Sequence, residues 1–178
     1  MSLILVPLDF SDCAPHVVAE ALRFAEAFRG RLLLLHASDP RGPIPLTATV
    51  RPPGSREPLT VEALLRRDAD AHLAPLLGLA RERGVEAEGR VVFGHVAEVV
   101  LAVAAGERAD MILMGTHGRT GLARATMGSI AEDIVRHAEV PVITVRTRHH
   151  AGCAASSCAT CDLGRSEVER AIDAEDAG

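Results

Sequence analysis

The chain has 178 residues, a formal net charge of -5 and 48% hydrophobic residues, so it is long enough for one domain with a buried core and a short additional segment. Its negative charge and its lack of tryptophan and tyrosine argue against general binding to nucleic acid, which needs a basic face. All 19 basic residues are arginines, so there is no lysine for P-loop, protein-kinase or Schiff-base chemistry.

The N-terminal segment predicts a strand followed by a helix. Leu3 to Leu8 is a continuous apolar run, as is typical of parallel strands that are buried on both faces. Apolar residues then recur at helical spacing from Val17 to Phe28. Ser11 and Asp12 are the candidate N-caps of this helix, and Gly30 is placed to end it.

A second βα pair is predicted beyond this helix, with a long connection between its elements. The run 32–36 is the second strand and completes a βαβ unit, whose crossover is almost always right-handed. Residues 39–58 contain six prolines and two glycines and predict a long loop or a partly disordered insertion. A helix is expected from Thr60 towards Arg83, ended by Gly84, and Pro75 should kink or split it.

The remaining periodic segments complete an alternating pattern. Strands are predicted over 88–93, 111–114 and 142–145, and helices over 96–104 and 130–138. Five strands alternating with four helices predict an α/β fold, a five-stranded parallel open sheet that is Rossmann-like and has helices on both faces.

One candidate site residue follows the first predicted strand directly. Ligands of open α/β sheets bind beyond the carboxyl ends of the strands, and Asp9 stands at such an end. Its carboxylate could accept a hydrogen bond from a ribose hydroxyl. The alternative is that Asp9 only helps to cap the next helix.

A glycine-rich segment follows the predicted strand at 111–114. Gly115, Gly118 and Gly128 let the backbone approach a ligand closely, and Ser129 begins a helix whose unpaired N–H groups attract anions. The segment therefore predicts phosphate binding, although turns, helix ends or close packing could each explain a single glycine. The spacing matches neither a Walker loop nor the GxGxxG dinucleotide motif.

Other titratable side chains give weaker indications. Arg119 and Arg124 either neutralise phosphate charge or are simply solvated, and His117 is interpreted as a turn residue rather than a base. Cys13 is expected to be packed and inert. The remaining histidines fall at helical positions and suggest no ligand set; they are His16, His72, His95 and His137.

The pattern Gly115-x2-Gly118-x9-Gly128-Ser129 resembles the nucleotide-binding signature of the universal stress protein family, in its ATP-binding branch. The segments VPLDFS, LLLLHA, DMILMGTHGRTG and GSIAEDIVRHAEVPVITVR occur in the same order as in that family. The similarity covers roughly Ser2 to Arg146. We therefore expect a universal stress protein domain over 1–146 and a flexible tail over 147–178.

The resemblance implies an adenine nucleotide alpha hydrolase-like sheet that binds ATP, with magnesium, in a homodimer joined through the last strand. It also implies positions that contact the nucleotide, from adenosine to phosphates. These are Pro7, Leu8 and Asp9 beside the adenosine, Ala37 at the adenine through its backbone, Met114, Gly115 and Gly118 at the ribose and phosphates, and Gly128, Ser129, Ile130 and Ala131 at the phosphates.

Two positions depart from the family pattern. Leu8 stands where many relatives have a small polar residue, and Ala131 stands where a hydroxyl side chain is common. Losing one hydroxyl should weaken the hold on phosphate by ~1 kcal/mol. It should not abolish a site that consists mainly of backbone groups.

The tail carries potential metal ligands outside the resemblance. Cys153-x4-Cys158-x2-Cys161 follows His149 and His150, which is enough for one tetrahedral metal ion. A thiol–disulfide pair is a second interpretation. An unstructured tail without either chemistry is the third.

The leading hypothesis is a cytoplasmic ATP-binding stress-response protein that acts as a switch towards a protein partner not yet known. The segment MSLILVPLD lacks the basic start and cleavage site of a signal peptide, and no apolar run approaches the ~20 residues of a membrane span. The alternatives are a slow ATPase, for which only His117 and Asp9 are nearby candidate bases, a metal- or redox-sensing tail, and an interaction protein without nucleotide.

Overall fold

The computed structural model describes residues 1–11, 13–39, 44–51, 57–116 and 128–146. In chain order these form β1 (Leu3–Pro7), α1 (Ala14–Phe28), β2 (Arg31–Ser38), β3 (Thr49–Val50), β4 (Leu59–Thr60), α2 (Val61–Glu82), β5 (Ala87–Phe93), α3 (Val96–Gly106), β6 (Met111–Gly115), α4 (Ser129–His137) and β7 (Val142–Val145). Within these ranges no helix combines the length and apolar character that crossing a membrane requires.

Five of the strands form one parallel sheet in the order β5-β2-β1-β6-β7. From β1 the chain first builds outwards through β2 and β5, and then returns to build β6 and β7 on the other side. The predicted five-stranded parallel open sheet is confirmed. The strand order reverses between β1 and β6, and in such sheets this reversal opens a crevice at the carboxyl ends of the strands.

Side chains of the central strands alternate between two apolar clusters. On β1, Ile4 and Val6 face the cluster beneath α1 and α2, whereas Leu3 and Leu5 face the cluster beneath α3 and α4. All four side chains are at most 3% exposed. Because both faces of the sheet are covered, the strands can be apolar throughout, which is why the sequence shows continuous apolar runs.

The start of α1 differs from the prediction. The N-cap is Cys13, and its side chain makes no capping hydrogen bond. Ser11 contributes its carbonyl oxygen, which accepts from the Ala14 N–H at 2.8 Å, and not its hydroxyl. The second candidate cap, Asp12, lies outside the described residues. Pro15 falls in the first turn, where its missing N–H does least harm.

The end of α1 also differs from the prediction. The residue with left-handed backbone is Arg29, at φ 50°, and not Gly30. Gly30 is required for another reason, because a Cβ at this position would lie 2.7 Å from the carbonyl oxygen of Ser2. The main chain of Ser2 approaches Gly30 closely because its carbonyl also accepts from the Arg31 N–H, at 2.8 Å.

Helix α2 begins as the sequence predicts and continues through its proline. Thr60 is the N-cap and its hydroxyl accepts from the Ala63 N–H at 3.1 Å. The helix runs unbroken past Pro75, so the predicted splitting is wrong. The buried side chains on either side of the proline, including Leu73 and Leu76, pack onto the sheet and offset the loss of one backbone hydrogen bond.

The proline-rich segment contains regular structure that the sequence did not predict. Strand β3 pairs antiparallel with β4, with Thr49 opposite Thr60 and Val50 opposite Leu59. The carbonyl of Ala48 also accepts from the N–H of Val61 at 2.9 Å and so joins this hairpin to α2. Two-residue strands are too short to produce a visible hydrophobic period.

Candidate functional site

A cleft of about 410 Å³ lies at the carboxyl ends of β1, β2 and β6, where the strand order reverses. This volume is within the range of small-molecule sites, roughly 300–1,000 Å³. The first turns of α1, α3 and α4 complete its wall. The described lining residues are Pro7, Leu8, Asp9, Ser11, Ala14, Val17, His36, Ala37, Ser38, Asp39, Val96, Met114, Gly115, Thr116, Gly128, Ser129, Ile130 and Ala131.

The structure brings together all of the predicted site residues that it describes. Every predicted position except Gly118 lines the cleft, and Gly118 lies outside the described residues. His117, Arg119 and Arg124 also lie outside the described residues, as do the cysteines and histidines of the tail. The shared location is thus established for the described positions, whereas their contact with a nucleotide remains a prediction.

Asp9 places a carboxylate at the end of β1. Its Oδ1 accepts from the Ser11 N–H at 3.1 Å. Its Oδ2 is buried and has no hydrogen-bond partner among the residues that the structure describes. A buried carboxylate oxygen without a donor is costly, so this atom fits a ligand that brings an N–H or O–H group.

An aromatic stack holds the loop that carries Asp9. The Phe10 ring lies 4.1 Å from the His36 ring and 5.0 Å from the His72 ring, measured between centroids. Phe10 itself has left-handed backbone at φ 55°, which is uncommon for a bulky residue. The Nδ1 of His36 donates to the Leu8 carbonyl at 2.9 Å, since a carbonyl can only accept.

The N-terminus of α4 forms the other end of the cleft. Gly128 is the N-cap, and its N–H donates to the Thr116 carbonyl at 2.8 Å. The first hydrogen bond within the helix runs from the Glu132 N–H to the Gly128 carbonyl, at 2.9 Å. The N–H groups of residues 129–131 therefore have no acceptor within the helix and, together with the helix dipole, favour an anion.

The charges of the described lining are not those of a lysine- or arginine-based phosphate site. The lining includes the carboxylates of Asp9 and Asp39, and none of its described members is an arginine. Glu132, in the first turn of α4, pairs with Arg136 at 2.7 Å. No group of three residues suited to binding a metal is found among the described residues. An anion here would thus be held mainly by main-chain N–H groups.

The two residues that depart from the family pattern leave the cleft open. Leu8 is 6% exposed and packs into the cluster beneath α1 and α2. Ala131 is 4% exposed and packs into the cluster beneath α3 and α4. Because the Leu8 side chain is directed into the core, it does not fill the cleft.

Sequence reasoning missed several lining residues. Ser38 and Asp39 lie at the end of β2, Thr116 follows β6, and Val96 begins α3. The signal that identified Asp9, a position directly after a predicted strand, did not reach the first three, because they lie two or three residues beyond the ends predicted for their strands. Thr116 is buried, and its N–H donates to the Val145 carbonyl at 2.9 Å, so it also connects the cleft to β7.

A profile of the Universal stress protein family matches residues 1–146. The chain belongs to the universal stress protein family. The resemblance that the sequence motifs indicated is confirmed at the level of the family.

Relatives align with this universal stress protein over most of their length. One from Thermus aquaticus is 35% identical over 148 residues, which are 80% of this chain and 97% of the relative. The universal stress protein MJ0531 of Methanocaldococcus jannaschii is 30% identical over 143 residues, which are 80% of this chain and 81% of the relative.

Solved structures share the fold of this universal stress protein. The protein MJ0577 aligns with a TM-score of 0.67 at 24% identity, over 84% of this chain and 98% of its own. A universal stress protein in complex with cAMP gives 0.59 at 21% identity, over 82% and 96%. The Archaeoglobus fulgidus protein in complex with dAMP gives 0.56 at 22% identity, over 81% and 97%. These likenesses confirm the α/β architecture.

Proposed function

We propose that this universal stress protein binds ATP in the cleft and acts as a nucleotide-dependent switch in a stress response. The observation that carries the proposal is the pairing of two unsatisfied features in one cleft. A buried carboxylate oxygen of Asp9 needs a donor, and the first-turn N–H groups of α4 suit an anion. A nucleotide supplies both groups within one molecule, a ribose hydroxyl as the donor and a phosphate chain as the anion.

Two further considerations support an adenine nucleotide. The universal stress proteins solved with cAMP and with dAMP hold ligands of this class. In this chain Ala37, near the end of β2, lines the cleft, and its backbone would contact adenine. Pro7 and Leu8 would border the adenosine, Met114, Gly115 and Gly118 the ribose and phosphates, and residues 128–131 the phosphates.

Magnesium would neutralise part of the triphosphate charge. Among the side chains of the cleft, Asp9 and Ser129 are our candidates to contact it. Since the described residues contain no cluster of three metal-binding groups, most of its ligands would come from phosphate oxygens and water.

The proposed switch is supported by two segments of the chain that begin or end at cleft residues. The cleft residue Asp39 begins the insertion 39–58, and Thr116 and Gly128 flank the segment 117–127. We expect Mg-ATP to slow amide hydrogen exchange in both segments and so to change a surface that faces a protein partner. Unchanged exchange in both segments would overturn the switch while leaving ATP binding intact.

We also infer a homodimer through β7. This strand pairs with β6 on one side, and no described strand covers its other side. Val135, on the preceding helix α4, is 44% exposed. A strand edge that no described strand covers suits pairing with a second copy of the chain. Residues 147–178 would form a tail outside the domain 1–146.

The test of ATP binding has two stages. Freshly purified protein is denatured, and the released small molecule is identified by mass spectrometry; an adenine nucleotide is expected. Calorimetric titration with Mg-ATP then compares the wild type with Asp9→Asn, which should bind about tenfold more weakly because one charged hydrogen bond is lost. Asp70→Asn, an exposed residue of α2 outside the cleft, should bind as the wild type does. A wild type without measurable affinity for Mg-ATP would refute the proposal.

A further inference from the structure

We propose that Phe10, His36 and His72 form a positioning stack that sets the direction of the Asp9 carboxylate, so that a surface residue of α2 controls nucleotide affinity. The inference rests on the proposed function, because its consequence for affinity requires a nucleotide at Asp9. It adds Phe10 and His72, which do not line the cleft, to the residues that determine binding.

The three rings are arranged as one continuous stack. The rings of Phe10 and His36 are inclined by 21°, with centroids 4.1 Å apart, and those of Phe10 and His72 by 24°, with centroids 5.0 Å apart. Phe10 is therefore held between a residue of β2 and a residue of α2. The Nδ1 of His72 lies 2.8 Å from the Asp68 carbonyl of the preceding helical turn, which fixes the orientation of that ring.

The stack acts on Asp9 through the backbone. Phe10 directly follows Asp9 and has φ 55°, a left-handed conformation that an aromatic residue adopts only when its surroundings enforce it. On the other side of Asp9, the Leu8 carbonyl accepts from His36 at 2.9 Å. The residues before and after Asp9 are thus both tied to His36, and Phe10 is in addition packed against His72.

His72 allows this role to be separated from direct contact. His72 is exposed and lies outside the cleft, so its replacement removes the contact with Phe10 but no lining group and no buried side chain. His137 is a matched control, because it is also exposed on a helix and its Nδ1 lies 2.9 Å from the carbonyl of the preceding turn, at Asp133. Among the described residues, His137 takes part in no ring stack.

Calorimetric titration with Mg-ATP tests the stack in the full chain. We expect His72→Ala to weaken binding about fivefold, His72→Phe to restore it and His137→Ala to leave it unchanged. The affinity for inorganic triphosphate, which needs only the α4 end of the cleft, should be the same in all four proteins. In an Asp9→Asn background, His72→Ala should cause no further loss, because its effect passes through that carboxylate.

Two results would overturn the positioning role. One is wild-type affinity in His72→Ala, and the other is a full additional loss when His72→Ala is combined with Asp9→Asn. If the wild type binds no Mg-ATP, the proposed function fails, and the stack is then judged by hydrogen exchange of the Ser11 amide, which donates to Asp9. That exchange should be faster in His72→Ala than in the wild type and His137→Ala, and equal rates would overturn the stack by itself.

Discussion

At the scale of single residues, the side chain of Asp9 combines one satisfied and one unsatisfied oxygen. The Oδ1 accepts from Ser11, whereas the buried Oδ2 has no described partner. Asp9→Asn keeps an acceptor for Ser11 and removes the charge, so we expect it to raise the free energy of unfolding of the ligand-free protein by about 1 kcal/mol. Thermal unfolding should show a higher midpoint without nucleotide and a smaller increase when Mg-ATP is added. A lower midpoint without nucleotide would contradict this explanation.

Two glycines offer a direct test of close packing. A Cβ on Gly30 would lie 2.7 Å from a backbone oxygen of Ser2, which cannot move without disturbing β1. Gly30→Ala should therefore lower the free energy of unfolding by about 2 kcal/mol in urea titration. At Gly106 a Cβ would meet nothing within 4 Å, so Gly106→Ala is the control and should be neutral or slightly stabilising. Equal effects of the two changes would contradict the clash.

A residue property could be predicted from the sequence where it depends on neighbours in the sequence, and not where it depends on residues far away along the chain. Asp9 was identifiable because it directly follows an apolar strand, and Thr60 because capping is decided within one helical turn. The unpaired Oδ2 of Asp9 and the left-handed φ of Phe10 were not predictable, since they depend on His36 and His72, which are distant in the sequence.

At the scale of elements, Arg90 connects β5 to the end of α3. It donates to Glu88 at 2.8 Å and to Glu107, and these hydrogen bonds raise the pKa of Arg90. The same guanidinium lowers the pKa of Glu107 below its ordinary value, first through the hydrogen bond and then through its charge. This pair is exposed enough to be screened by salt.

The lowered pKa of Glu107 gives a pH dependence of defined sign. A carboxylate with a lowered pKa stabilises the fold above its unfolded pKa of about 4.3, and this contribution is lost as the pH falls through the folded value. Glu107→Gln should thus be less stable than the wild type at pH 7, and the two should converge below pH ~4 in urea titrations. Glu98→Gln, at a largely exposed side chain of α3, is the control. A difference that persists unchanged into acid would point to packing instead.

Elements were predictable where apolar periodicity extends over a full strand or helix. Within the described ranges, the five strands of the main sheet and the four helices were located in this way, with ends that differ by a few residues. The hairpin of β3 and β4 was missed because two-residue strands carry no period. The sequence left open whether Pro75 kinks or splits α2, because the continuity of the helix depends on side chains such as Leu73 packing against the sheet.

At the scale of the whole molecule, the edge of β7 that no described strand covers is the proposed dimer interface. The carbonyls of Pro141 and Val145 accept from Ile112 of β6 and from Thr116 just after it, so the main-chain groups of the alternate residue Thr144 are directed away from β6. Thr144→Pro removes an outward N–H without removing a bond to β6, and an edge strand tolerates proline. We expect sedimentation to show a dimer for the wild type and for the control Thr144→Val, and a folded monomer for Thr144→Pro. A dimeric Thr144→Pro would exclude this edge as the interface.

The family was predictable because the glycine spacing and the ordered motifs resemble its signature. That the described candidate residues share one cleft was predictable because the carboxyl ends of parallel strands meet at one edge of the sheet. The order of the strands in the sheet was not predictable, since the neighbours of β1 are set by the packing of the four helices α1, α2, α3 and α4. The volume of the cleft was likewise unpredictable, because it depends on how far the Leu8 side chain, which is 6% exposed, packs into the core.

The hydrogen bond between the Thr116 carbonyl and the Gly128 N–H joins the two residues that flank 117–127 in the sequence. This hydrogen bond and the packing of Ala131 and Ile134 into the core fix the position of α4. The length of the stretch 117–127 therefore does not determine where the helix begins. Insertions and deletions there carry only the small entropic penalty of a longer or shorter closed loop. A change in the length of this stretch should therefore leave the amides of the first α4 turn in place.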